Sequence, residues 1–303
     1  MQKCLITKIV KDSILDGPGC RYVTFVKGCN LNCPWCHNPE TKSSKQEVFT
    51  YSRFCIHCGN CVNALSADAQ LEVTPVEIDN SNSEQYFNAV EACPTKTLEY
   101  ASSEYSTDEI IDDMRKYSIM YSKTKGGLTI SGGDPLFVAD FSFELFTKAK
   151  AAGFHTAADT ALSFKWDIVE KFLPVVDMWL IDLKHIDDNN LKTDLTIANL
   201  LKLANISGSK IWIRIPIVPG YNDNEAIWEA MATLLNDAGN AIEQVSLLPF
   251  HPFGTAKYEA LRIDYPFSGV KHLDDSVIDN ATEIFSKHLR PEILTKGRRI
   301  LHG

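Results

Sequence analysis

Tyr22-Val23-Thr24-Phe25-Val26-Lys27-Gly28-Cys29-Asn30-Leu31-Asn32-Cys33-Pro34-Trp35-Cys36-His37-Asn38 joins a short apolar run to a loop carrying three cysteines at x3 and x2 spacing. The β-branched and aromatic residues of Tyr22 to Val26 predict a strand. Three thiolates on a short loop can hold three irons of a cubane 4Fe–4S cluster, which leaves the fourth iron open to a ligand that is not protein. A zinc loop or three free thiols is the alternative, although zinc sites usually present paired Cys-x2-4-Cys halves with a fourth ligand.

Downstream, from about residue 104, strand and helix patterns alternate. Leu128–Ser131, Phe154–Ala158, Met178–Asp182, Ile211–Ile215 and Val245–Leu248 read as strands. Helix-length segments with apolar spacing near 3.6 lie between them, such as Ile110–Tyr121, Phe141–Ala152 and Ala226–Leu235. Thr107, followed by Asp108 and Glu109, is the expected N-terminus of the first. Repeated βα units imply a parallel sheet with right-handed crossovers. With Tyr22–Val26 the chain has about six such strands, fewer than the eight of a closed (β/α)8 barrel. An open, partial barrel is expected, and periodicity alone leaves a doubly wound sheet in play.

Residues 50–103 interrupt the rhythm and hold Cys55, Cys58, Cys61 and Cys93. They divide the chain into 1–49 (first barrel strands and cysteine loop), 50–103 (inserted module) and 104–303 (remainder of the barrel and a C-terminal helix). Cys55-x2-Cys58-x2-Cys61 begins a bacterial ferredoxin motif, whose continuation is x3-Cys-Pro. Leu65 stands at the expected fourth position, and Cys-Pro appears only as Cys93-Pro94. Counting back from Cys93, a second motif would need cysteines at Ser83, Tyr86 and Ala89. In two-cluster ferredoxins the fourth cysteine of each motif serves the other motif's cluster. Cys55, Cys58, Cys61 and Cys93 are therefore one complete ligand set, and Leu65, Ser83, Tyr86 and Ala89 mark where a second is missing. A degenerate insert binding zinc or nothing is the alternative.

The whole chain sets limits on these readings. It has 303 residues, 45% hydrophobic and 23% charged, which excludes disorder and solenoids. A net charge of −9 speaks against nucleic acid or anionic membrane as a partner. Neither a secretory leader nor a membrane span is expected, because no long apolar run occurs. Nine cysteines, seven of them between Cys29 and Cys93, fit metal binding in a reducing cytoplasm better than disulfides, with Cys4 and Cys20 as free thiols.

Cys29-x3-Cys33-x-Trp35-Cys36 resembles the radical S-adenosylmethionine (SAM) superfamily, whose motif is Cys-x3-Cys-x-aromatic-Cys. Asp16-Gly17-Pro18-Gly19, Arg21 and Cys36-His37-Asn38-Pro39 narrow the resemblance to the glycyl-radical-enzyme activating enzymes, of which the pyruvate formate-lyase activase is the smallest. The resemblance implies an α/β fold, a partial (β/α)6 radical SAM barrel with a small inserted ferredoxin-like iron–sulfur module. It implies an oxidoreductase of anaerobic metabolism that cleaves SAM reductively to a 5′-deoxyadenosyl radical and takes an α-hydrogen from a glycine of a partner glycyl radical enzyme. Two 4Fe–4S clusters are expected, a catalytic one on Cys29, Cys33 and Cys36 and an auxiliary one on Cys55, Cys58, Cys61 and Cys93. A flavodoxin or ferredoxin would supply the electron to a monomeric activase.

By the same resemblance, Trp35 lies near the adenine, and Gly132, Gly133 and Asp134 match a Gly-Gly-Glu-Pro loop that binds the methionyl amine, with Asp134 one methylene shorter. Lys184 neutralises the SAM carboxylate, Arg214 and His251 contact SAM, and Asp16 grips the partner's loop. Asp159, Thr160, Asp182 and the Leu180 carbonyl would hold a monovalent cation beside SAM. For Arg214 a buried structural ion pair is the alternative. The competing functions are a radical SAM enzyme acting on a small molecule and an iron–sulfur electron carrier built on a barrel. Carriers normally saturate their irons, so the three-cysteine loop weighs against the second.

Overall fold

The computed structural model describes residues 2–65 and 75–296. Its strands are β1 (Lys3–Ser13), β2 (Arg21–Val26), β3 (Val48–Thr50), β4 (Leu98–Tyr100), β5 (Ser103–Ser106), β6 (Gly127–Gly132), β7 (His155–Thr160), β8 (Met178–Asp182), β9 (Ile211–Ile217), β10 (Ile242–Pro249) and β11 (Leu294–Lys296). One sheet runs β11-β10-β9-β8-β7-β6-β2-β1-β5, and β3 pairs with β4 apart from it. From β2 to β11 all neighbours are parallel, whereas β1 is antiparallel to both β2 and β5. The edge strands β5 and β11 are not bonded to each other, so the barrel is open.

The six strands expected from the sequence are β2 and β6 to β10. β1 escaped notice because register shifts between Ile6 and Lys8 and between Val10 and Ser13 break its period of two. The segment Ile110–Tyr121 forms two helices, Thr107–Arg115 and Ser118–Thr124. The break at Tyr117 lets Tyr121 turn inward, where it is fully buried and its hydroxyl donates to the Lys11 carbonyl at 2.7 Å. The first helix begins at Thr107, as expected, and Ser106 caps it. The Ser106 hydroxyl accepts from the Glu109 amide, and the Glu109 carboxylate accepts from the Ser106 amide.

Alternation along the parallel strands places functional and structural side chains on opposite faces. In β9, Ile211, Ile213, Ile215 and Ile217 are buried toward the helices, and Trp212, Arg214 and Pro216 face the lumen. The same parity stacks layers inside the barrel. Ala157, Met178, Leu180 and Trp212 make an apolar lumen cluster, and Asp159, Asp182 and Arg214 stand two residues further along the same strands. The lumen is plugged from below by the turn between β1 and β2. The Thr129 hydroxyl donates to the Asp16 carbonyl at 2.7 Å, and a side chain on Gly17 would meet Ala157 at 3.8 Å. Arg21, wholly buried, braces this plug by donating to Thr129 Oγ1 at 2.9 Å and to the Leu128 and Pro18 carbonyls.

The insert hangs on β3 and β4, whose pairing sets Thr50 opposite Leu98. Val48, Cys61, Val76, Ile78, Ala89, Val90 and Leu98 form its core. Phe49 and Ala101 pack on Ala260 and Leu261 of the helix Thr255–Leu261, which ties the neck to the barrel.

Candidate functional site

The cysteine loop leaves the top of β2 and is tied on three sides. Gly28 N donates to the Thr41 carbonyl at 2.7 Å, Asp134 N to the Gly28 carbonyl at 2.9 Å, and the Asn30 amide to the Ser163 carbonyl at 2.7 Å. Gly133 allows the second of these, because a Cβ there would lie 2.1 Å from the Gly28 oxygen. Burial pushes the Cys29 thiol up to about 12, with Asp134 adding to the effect, and burial also raises Cys33 and Cys36. Thiols of this kind ionise only when a metal takes the proton's place, so loading releases protons and weakens in acid. Among the described residues no three His, Cys, Asp or Glu side chains are placed to hold a single metal ion. The three thiols do face one cavity, as a multi-iron cluster with an open iron requires.

That cavity has a volume of about 410 Å³. Cys29, Cys33, Trp35 and Cys36 line one side, and Gly132, Gly133 and Asp134 another. Asp159, Thr160, Asp182, Lys184, Arg214 and His251 complete the wall, with Asp16 in the floor. Every side chain singled out for SAM or the partner loop thus converges on one space.

The polar layer is held together by its own charges. Arg214 Nε donates to Asp182 Oδ1 at 2.9 Å, its Nη2 donates to Asp159 Oδ1, and its Nη1 lies 3.9 Å from Asp16 Oδ1. Lys184 Nζ donates to Asp182 Oδ2 at 2.7 Å, and Ser131 Oγ to Asp159 Oδ2 at 2.6 Å. Burial opposes ionisation of Asp182, but the cations of Arg214 and Lys184 prevail and hold it down to about 2. Burial pushes the Asp159 carboxyl up while Arg214 pulls against it. Arg214 is therefore the ion-paired side chain weighed as the alternative, and it also lines the cavity.

Asp134 is 2% exposed and accepts from the Leu136 amide at 2.9 Å, the Thr160 hydroxyl at 2.8 Å and the Ala161 amide at 3.1 Å. Burial lifts its pKa to about 7 in spite of these donors. These bonds make Asp134 a brace between the Gly132-Gly133 loop and the end of β7. The cation donors expected from resemblance are likewise committed. Thr160 serves Asp134, Asp159 and Asp182 are salt-bridged, and Leu180 is 1% exposed within the β7–β8–β9 ladder.

Trp35 is buried against Tyr221, ring centroids 4.3 Å apart, and against Phe267. His251 stacks on His37 with centroids 4.0 Å apart. Burial, with His251 nearby, lowers His37 to about 4, so the ring is neutral. His37, part of Cys36-His37-Asn38-Pro39 and given no role from the sequence, is a cavity residue. Ser131 was missed too, and its role emerges only when β6 and β7 lie side by side.

In the insert, Cys55, Cys58, Cys61 and Cys93 line one small concavity. Burial works against the Cys93 thiolate, but hydrogen bonds from Leu98, Thr95 and Thr97 prevail and lower its pKa. The vacant positions are filled with packing. Ala89 is wholly buried in the insert core, Leu65 and Tyr86 pack against that core, and Ser83 donates to the Gln46 carbonyl at 2.5 Å.

Residues 15–197 match a family model described as a 4Fe-4S single cluster domain. The benzylsuccinate synthase activating enzyme of Thauera aromatica is 38% identical over 281 residues, covering 88% of this chain and 85% of that one. The isethionate sulfite-lyase activating enzyme of Nitratidesulfovibrio vulgaris is 33% identical over 277 residues, covering 86% and 89%. A crystal structure of a domain of the pyruvate-formate lyase-activating enzyme from Bacteroides vulgatus aligns with 57% of this chain and 99% of that one, at 24% identity and a TM-score of 0.46.

Proposed function

The chain belongs to the radical SAM activating enzymes of glycyl radical enzymes, and on that premise we propose that the 410 Å³ cavity is where it binds and cleaves SAM. A cluster held by Cys29, Cys33 and Cys36 would supply the one electron that cleaves the sulfonium C–S bond of SAM to methionine and a 5′-deoxyadenosyl radical, and that radical would take an α-hydrogen from a glycine of the partner to leave 5′-deoxyadenosine and a glycyl radical.

The protein's part is to hold and shield. Cys29, Cys33 and Cys36 ligate the catalytic 4Fe–4S cluster. Gly132 and Gly133 offer close-approaching backbone to the methionyl amine, with Asp134 fixing their loop. Lys184, facing the thiols and paired to Asp182, meets the SAM carboxylate. His251 on His37, and Trp35, flank the adenosine. The plugged lumen keeps water and stray hydrogen donors away from the reacting carbon. Asp16 in the floor is the residue for the backbone of the partner's glycine loop. A second 4Fe–4S cluster sits on Cys55, Cys58, Cys61 and Cys93, the chain acts as a cytoplasmic monomer, and a flavodoxin or ferredoxin reduces it.

The convergence of the cysteine triad with the SAM-facing side chains in one cavity carries this reading. Reduced, iron-loaded protein given SAM forms 5′-deoxyadenosine, and adding the partner produces a glycyl radical signal in electron paramagnetic resonance. No deoxyadenosine at full iron loading sinks the proposal.

A further inference from the structure

The donors a monovalent cation would need beside SAM are already bound to protein. Each oxygen of Asp159 already accepts a hydrogen bond, one from Arg214 and one from Ser131. Each oxygen of Asp182 likewise accepts one, from Arg214 and from Lys184. Thr160 donates to Asp134 and accepts from the Leu162 amide at 3.0 Å. Arg214 and Lys184 thus set two cations against the Asp159 and Asp182 carboxylates, with Asp16 a third acid 3.9 Å from Arg214 Nη1. A metal cation entering here would compete with the half-buried Arg214 guanidinium and Lys184 ammonium for the same carboxylates.

We propose that in this chain the Arg214 guanidinium takes the place of a monovalent cation, bridging Asp159 and Asp182 so that SAM binds without K⁺ or Na⁺. The planar fork suits that role, since Nε and Nη2 reach the two carboxylates at once and Nη1 remains directed at Asp16. A lysine in its place would reach one carboxylate at a time. The inference rests on the cavity being the SAM site.

The test is the SAM dissociation constant of the iron-loaded holoenzyme, measured by titration calorimetry in KCl, NaCl and choline chloride at equal ionic strength. The affinity of the natural chain is expected to agree within about twofold across the three salts, because buried, paired charges feel bulk ions little. Arg214→Met is expected to bind SAM at least about a hundredfold more weakly in choline, because two buried carboxylates lose their shared cation, and to recover in KCl or NaCl. Arg214→Lys is expected to fall between the two. Saturable K⁺ or Na⁺ dependence of the natural chain overturns the proposal. So does Arg214→Met binding SAM equally in all three salts. Absence of SAM binding in every salt sinks the SAM reading and this inference with it.

Discussion

His155 shows how one side chain reports on the barrel's underside. Arginine has only donors, so the 3.1 Å contact from Arg21 Nη1 requires a lone pair on His155 Nδ1. Burial, and then the nearby Arg21 charge, lower the histidine to about 4. The unfolded chain takes up the proton more readily, so this contribution to stability is whole above about pH 6.5 and is lost as pH falls toward 4. His155→Gln keeps an acceptor for Arg21 and should flatten the fall of the urea midpoint between those limits; equal slopes would refute the assignment. Asp134 allows a sharper separation of roles. Asp134→Ala leaves the Leu136 and Ala161 amides without their acceptor, and should cost about 2–4 kcal/mol in guanidinium unfolding. Undiminished stability with lost SAM binding would make Asp134 a ligand and not a brace. The sequence shows that an acid follows Gly132-Gly133. It does not show that the acid points into the protein, which depends on Thr160 and Ala161 arriving from another strand.

Among the elements, β2 and β6 to β10 were legible because buried parallel strands write continuous apolar runs into the sequence. β5 is an open edge and β1 its neighbour, both half exposed and mixed in polarity, and they leave no comparable trace. The three-residue β11 is too short to show a period. The connection from β2 into the insert is fastened by a buried ion pair that no local pattern announces. Lys27, with no side-chain exposure, donates to Glu47 at 2.6 Å and to the Ser43 carbonyl at 3.1 Å. Burial lowers the lysine and raises the glutamate, each opposed by the charge of the other. Glu47→Ala should destabilise the chain by about 3 kcal/mol by stranding the ammonium. Adding Lys27→Met should restore most of that loss, and a double variant as unstable as the single one would show that the pair is not what matters.

For the molecule as a whole, the cysteine count becomes a metal stoichiometry. Two cubanes call for about eight irons per chain, and Cys93→Ala should bring the loaded protein to about four while sparing SAM cleavage under dithionite. An unchanged iron content would refute the auxiliary ligand set. The cysteine pattern behind this expectation was legible at the level of spacing, since Cys29, Cys33 and Cys36 announce themselves. The charge pairing among Asp159, Asp182 and Arg214 was not, because it depends on the side-by-side register of β7, β8 and β9. The β3–β4 neck has a consequence for descent as well. Thr50 and Leu98 sit directly opposite each other, a separation that a two-residue hairpin turn spans. One genetic event at this joint is enough to graft the whole cysteine-bearing insert onto the barrel or to prune it away.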